Sequence, residues 1–192
     1  MDNDKELENL YDLARFAKDT DNPSAAKYYD MIFKKDPTSW EACFFTEYFK
    51  ALKCDDVHEA TSILNNNLET VLNLVKVAYY DIVDIAFFDL ALSEILSQTY
   101  RLGTLLSIKQ TDEFEKLDVC AQNKRLPEVR QDIVAIRNMY FFLGDKIDSI
   151  FGNYVEEGGD AHALINDMLS KIAEDKDGVY NARKHKRHQS GI

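Results

Sequence analysis

Asp81, Asp84, Asp89 and Glu94 crowd one end of the most apolar stretch of the sequence, Val71 to Leu92. Asp81 and Asp84 fall on one helical face, and helical bundles do build metal sites from inward carboxylates. Such sites pair Glu with a Glu-x-x-His unit, and none occurs here, so solvated edge carboxylates are the ordinary reading. His58 stands beside Glu59 in Asp56-Val57-His58-Glu59, where a capping box with Asp56 as cap explains the acids better. His162 follows Gly158-Gly159-Asp160-Ala161, apart from any serine or cysteine motif, and reads as a surface histidine. Cys43, Cys54 and Cys120 show no Cys-x-x-Cys pair; they act as nucleophiles only if the fold brings a histidine to them. Glycine-rich phosphate loops, Gly-x-Ser-x-Gly elbows and His-Glu-x-x-His are missing from the sequence. The expectation is a non-enzymatic protein: no catalytic residue, no cofactor and no metal is assigned.

The elements that position these residues are helical. Only 7 Gly and 3 Pro occur in 192 residues, none of the glycines before Gly103, whereas all-β folds need frequent turn residues. The net charge is -11, and the last fifteen residues carry Arg183, Lys184, Lys186 and Arg187 with no acid, so the body is more acidic still. Such a body is repelled by phosphate backbones and anionic membranes, which argues against direct nucleic-acid binding. The odd cysteine count suits free thiols in a reducing compartment. The acidic start Met1-Asp2-Asn3-Asp4 is unlike a signal peptide, and Lys76, Asp81, Asp84 and Asp89 make Val71–Leu92 a poor membrane span. A cytoplasmic location is expected.

Apolar spacings of three and four predict a helix over about 5–19, then a second opened by Asn22 as cap and Pro23 and closed at Lys34-Lys35. A third runs to about Leu52, apolar over so wide an arc that it packs on two sides or offers one to a partner. From Val57 the helical phase continues almost to Ile108, with a turn expected near Tyr79–Asp81 capped by Asp81, and a kink at Gly103. Thr111-Asp112 is expected to open a short helix, Pro127 to start a long one ending at Gly152, and a last helix to run from about Asp160 to Ala173. The expected organisation is residues 1–53 as a hairpin plus third helix, 54–177 as a bundle packed on it in one globular unit, and 178–192 as a basic, disordered tail.

The string A-A-K-Y-Y-D-M-I-F-K-K-D-P-T-S-W-E-A from Ala25 to Ala42 resembles the second half of a tetratricopeptide-repeat (TPR) unit running into the next. Ala25 permits close helix approach, Tyr29 fills between helices, and Asp36-Pro37 closes the loop. With Tyr48-Phe49-Lys50-Ala51, Cys54 and Met139–Ile147, the chain is similar to a group of uncharacterised TPR-like helical proteins of gut Firmicutes. The resemblance implies an all-α fold, a TPR-like helix-turn-helix hairpin followed by an antiparallel helical bundle. It carries over no metal, since the zinc ribbon that some relatives have ahead of this region has no counterpart in the sequence.

Aromatic helix faces are most often core. Trp40, Phe44, Phe45, Tyr48, Tyr140, Phe141 and Phe142 are nevertheless the best candidates for a partner surface, because TPR-like pairs expose a groove between helices. Trp40 is expected to be substantially buried, with Trp40→Ala costing on the order of 3–5 kcal/mol. The functional expectation is an interaction module that binds a protein or peptide in a helix-lined groove. The alternatives are an acidic inhibitor or nucleic-acid mimic, phage- or mobile-element-borne, and a helical-bundle enzyme with a carboxylate metal site.

Overall fold

The structure, a computed structural model, describes residues 2–82, 84–152, 159–170 and 172. The basic tail from Gly178 lies outside them, as does the expected end of the last helix at Ala173. Six helices follow in order: α1 Asp2–Lys18, α2 Asn22–Lys35, α3 Trp40–Lys53, α4 Val57–Ile82, α5 Ile85–Glu115 and α6 Val119–Phe151. A seventh, α7, covers residues 160–170, and no strand occurs among the described residues. The all-helical class is as the apolar spacing requires.

Short polar side chains set the helix starts. Asp56 accepts from the Glu59 amide (2.7 Å) and opens α4, in the capping role read from the sequence. The cap of α2 is Asp21 rather than Asn22; its carboxylate takes both the amide and the hydroxyl of Ser24, leaving Asn22 and Pro23 inside the first turn. Ser39 caps α3 by accepting from the Ala42 amide at 3.1 Å. The break between α4 and α5 falls later than Tyr79–Asp81, and Asp84 is the cap, accepting from the Ala86 amide at 2.9 Å. Across that break Tyr79 and Phe88 bring their rings to 4.6 Å, so the turn is closed by packing as well as by the cap.

Two further starts are corrected. Thr111 opens no helix: its hydroxyl donates to the Ser107 carbonyl one turn back (2.9 Å), and α5 runs on to Glu115. The next start is Asp118, which accepts from the Ala121 amide at 2.8 Å. Pro127 therefore lies inside α6 instead of beginning it. An interior proline leaves the carbonyl four residues back without a donor, a cost of roughly 3 kcal/mol. Here Pro127 and Asn123 are both exposed, and water can reach the Asn123 carbonyl. α5 passes through Gly103 without interruption.

One apolar cluster runs from Leu10 in α1 to Met168 in α7, across the expected boundary at residues 53 and 54. Within it α1 packs on α2, α2 on α3, and α3 on both α4 and α5, while α6 lies against α4 and α5. Burial on two sides by its own chain thus explains the wide apolar arc of α3. Tyr29 of α2 stacks on Phe45 at 4.6 Å, and Phe44, Tyr48 and Phe49 complete an aromatic layer. Trp40 is only partly buried, against the edge of the core.

Such burial favours internal partners for the polar groups on α3, although the Thr46 hydroxyl has none among the described residues. Glu41, at its first turn, is 8% exposed. Its carboxylate accepts two bonds from the Arg15 Nε and one from a terminal nitrogen at 2.6 Å, while the Tyr29 hydroxyl donates to it at 2.9 Å. One carboxylate thereby ties α1, α2 and α3 together. Beside it Lys18 pairs with Glu94 of α5 at 2.7 Å, which links the first helix to the fifth. Glu41→Ala strips the buried Tyr29 phenol of its acceptor, and charged hydrogen bonds of this kind are worth roughly 1.5–3 kcal/mol each. The expected loss of stability is about 2–3 kcal/mol, with Glu41→Gln losing less because it keeps an acceptor oxygen. Urea denaturation followed by circular dichroism checks this; a loss below about 0.5 kcal/mol for Glu41→Ala would show that the pairing is incidental.

Candidate functional site

The candidate partner residues divide between two places. Phe44 and Phe45 are fully buried and Tyr48 is 3% exposed, so these three offer no surface to a partner. The reason is the packing of α3 on both sides. Trp40 stays at the core edge, away from the cleft described next. Tyr140 and Phe141 line that cleft, and Phe142 is part-buried with its ring 5.3 Å from the Lys146 ammonium.

The cleft lies between α5 and α6, holds about 540 Å³, and is closed at one side by Ile172. From α5 it takes Tyr100, Thr104, Ser107, Ile108, Thr111 and Asp112. From α6 it takes Ile133, Ile136, Arg137, Tyr140 and Phe141. Helical spacing generates this: Tyr100, Thr104, Ser107 and Thr111 form one stripe of α5, and Ile133, Ile136, Arg137 and Tyr140 one stripe of α6. Ile108 at the mouth is 52% exposed, which is high for an isoleucine facing a concave apolar surface.

The close approach of the two helices is set by Gly103. A Cβ there would lie 1.9 Å from the Tyr140 hydroxyl oxygen, 2.6 Å from its Cζ and 2.9 Å from Ile136 Cγ2. The Tyr140 ring crosses α5 at the one point where no side chain stands, and its own partner ring is Tyr100, at 4.4 Å. Sequence reading found Tyr140 and Phe141 from their aromatic run. The α5 wall was missed, because Thr104, Ser107 and Thr111 look like ordinary helix-surface residues; the signal that was available is the glycine inside an apolar helix.

The carboxylates at the α4–α5 break do not converge. Asp84 is a cap, Asp89 accepts from Ser93, and Glu94 takes Lys18 and Gln98. The side chain of Asp81 is not among those described. Among the described residues no group of three or more His, Cys, Asp or Glu side chains comes together as a metal site. His162 lies 3.2 Å from the Asn166 amide nitrogen, one turn along α7. His58 meets a residue the sequence did not single out, Asp132 of α6, at 3.5 Å. Burial pushes the Asp132 carboxyl above the ordinary carboxylate range, with His58 pulling the other way. No helix is long and apolar enough to cross a membrane among the described residues.

No family model, curated protein or solved structure matches the chain.

Two outcomes follow from this geometry. Gly103→Ala must displace Tyr140 and Ile136, and overpacking of this kind costs typically about 1–3 kcal/mol; combining it with Tyr140→Ala should cost less than the two single changes added, as a double-mutant cycle in denaturant will show. For Asp132 the folded state holds a proton more tightly than the unfolded one. The charged form therefore weighs against folding at neutral pH, and that penalty disappears as pH falls below the unfolded carboxylate value, about 3.9. Asp132→Asn should then raise the melting temperature at neutral pH and lose that advantage near pH 3. An advantage equal at both pH values would mean that the carboxyl is not strained by burial.

Proposed function

We propose that the chain is a non-enzymatic interaction module, with α1 and α2 as a TPR-like hairpin, that binds a protein or peptide partner in the groove between α5 and α6. The observation that carries the reading is the cleft itself: half-open, walled by isoleucines and aromatics, with an exposed Ile108 at its mouth. Concave apolar surfaces of this kind are the default binding sites of folded domains. The hairpin reading is supported by Ala14 and Ala25, both fully buried where α1 meets α2, and by Tyr29 filling the space beyond them. These are the roles that the resemblance gives to Ala25 and Tyr29.

The acidic-mimic reading draws less support. Glu6, Asp30, Glu47, Asp55, Glu69 and Glu113 each pair with a lysine or arginine, so these acids are interspersed with cations. That arrangement favours solubility over imitation of a phosphate backbone.

The test compares affinity capture from lysate, read by mass spectrometry, for the unaltered chain, Ile108→Glu and Phe16→Glu. Phe16 is 75% exposed on α1, far in sequence from the cleft walls. Both substitutions replace exposed residues and should leave the melting temperature within about 2 °C, as surface changes usually do. A partner held in the cleft is expected to be lost with Ile108→Glu and kept with Phe16→Glu. The reverse pattern would move the binding surface to α1 and end the proposal.

A further inference from the structure

Arg137 is the cation among the residues that line the α5–α6 cleft, and its surroundings leave it incompletely paired. Its guanidinium carbon stands 5.7 Å from the centre of the Phe141 ring, one helical turn on. The ring attracts the charge but is a poor substitute for a carboxylate as a hydrogen-bond acceptor. Nε is buried and, among the described residues, has no acceptor. None of the ion pairs among the described residues includes Arg137. A partly desolvated guanidinium without an acceptor is costly. The acid of the same cleft, Asp112, forms no ion pair with it among the described residues.

The hydroxyls of Thr104, Ser107, Thr111 and Tyr140 do not compete for an anion. Thr104 donates to the Tyr100 carbonyl (2.9 Å), Ser107 to Gly103 (2.8 Å) and Thr111 to Ser107 (2.9 Å). Tyr140 also directs its hydroxyl to the Tyr100 carbonyl, at 3.5 Å. Their protons are engaged by the helix, and Arg137 is the charged donor an incoming anion meets. Around it the walls are apolar: Ile108, Ile133, Ile136, Phe141 and Ile172. Asp112, exposed on the α5 side, repels a second negative charge.

We propose that the cleft binds a small acyl monocarboxylate, its head group paired with the Arg137 guanidinium and its chain lying between Ile133, Ile136, Phe141 and Ile172. Its volume of about 540 Å³ fits such a ligand, since small-molecule pockets run from roughly 300 to 1,000 Å³. Charge complementarity selects the head and the isoleucine walls select the chain. The proposal goes beyond the partner reading and does not depend on it; because the two share a cleft, the carboxylate would also compete with a partner seated there.

The test is titration calorimetry of the full chain with sodium octanoate and, separately, with octylammonium chloride. Octanoate is expected to bind and octylammonium not to. Arg137→Gln is expected to weaken octanoate binding by at least about tenfold, the loss of one charge-assisted pair, with a melting temperature no lower than that of the unaltered chain. Should that variant fold poorly, Ile108→Glu, which changes an exposed residue at the mouth, keeps the question open to experiment. Its added carboxylate should weaken octanoate binding at low salt and do so less at high salt. Failure of octanoate to bind, equal binding of octylammonium, or indifference to both substitutions overturns the proposal. Loss of partner capture in Ile108→Glu alongside any of these would leave the partner reading standing by itself.

Discussion

A helix buried on two sides can turn few of its polar side chains to water, and on α3 only Glu47, Lys50 and Lys53 reach it. Everything at the first end of the molecule follows from that constraint. Glu41 needs its counter-charge and its remaining hydrogen bonds supplied from within, so Arg15 and Tyr29 are held at fixed positions and α1 and α2 with them. The carbonyl of Cys43 accepts from Asn67, which fixes α4 against the opposite face at 3.0 Å. Removing one partner from such an arrangement is expensive because the others stay buried. Specificity of packing at this end comes from a few polar bonds set in an aromatic layer, and the apolar burial around them supplies the bulk of the driving force.

The far end is organised differently. The α5–α6 contact rests on a glycine and a tyrosine: Gly103 lets the ring of Tyr140 lie across α5, and the helices on either side of that point leave the cleft between them. Here apolar surface is left open and the guanidinium of Arg137 forms no ion pair among the described residues, whereas the buried carboxylate of α3 is paired. The contrast separates a closed part of the molecule from one that leaves a cleft open, and it does so within one continuous core.

How far the sequence disclosed this depends on which physical effect decides each feature. Apolar spacing and scarce turn residues were enough for the helical class, and Asp56 was recognisable as a cap from its local pattern. The misplaced starts share a cause. At Thr111 the hydroxyl bonds backward into the helix, and at Pro127 exposure relieves the orphaned carbonyl; both outcomes depend on which face of the helix meets solvent, which spacing alone does not fix. The turn before α5 fell later than expected because the Tyr79–Phe88 ring contact, a tertiary one, selects Asp84. For the site, an aromatic run pointed to Tyr140 and Phe141, but it pointed equally to Phe44 and Phe45, which are core. Only the neighbours of each helix distinguish the two. Arg137 carried no signal at all, since an arginine on a helix is unremarkable until its lack of a carboxylate is visible.

Tyr29 gives the first end of the molecule a spectroscopic handle. Its phenol is fully buried, donates to an ionised carboxylate, and is pushed far above the ordinary tyrosine range by burial and by the Glu41 charge. Forming tyrosinate there would place two negative charges against one arginine out of reach of water, so the ring can ionise only after α1 and α2 have swung away from α3. In alkali, then, the late-appearing part of the tyrosinate absorbance, to which the buried Tyr48 also contributes, is a clock: its rate measures how often this end of the protein opens.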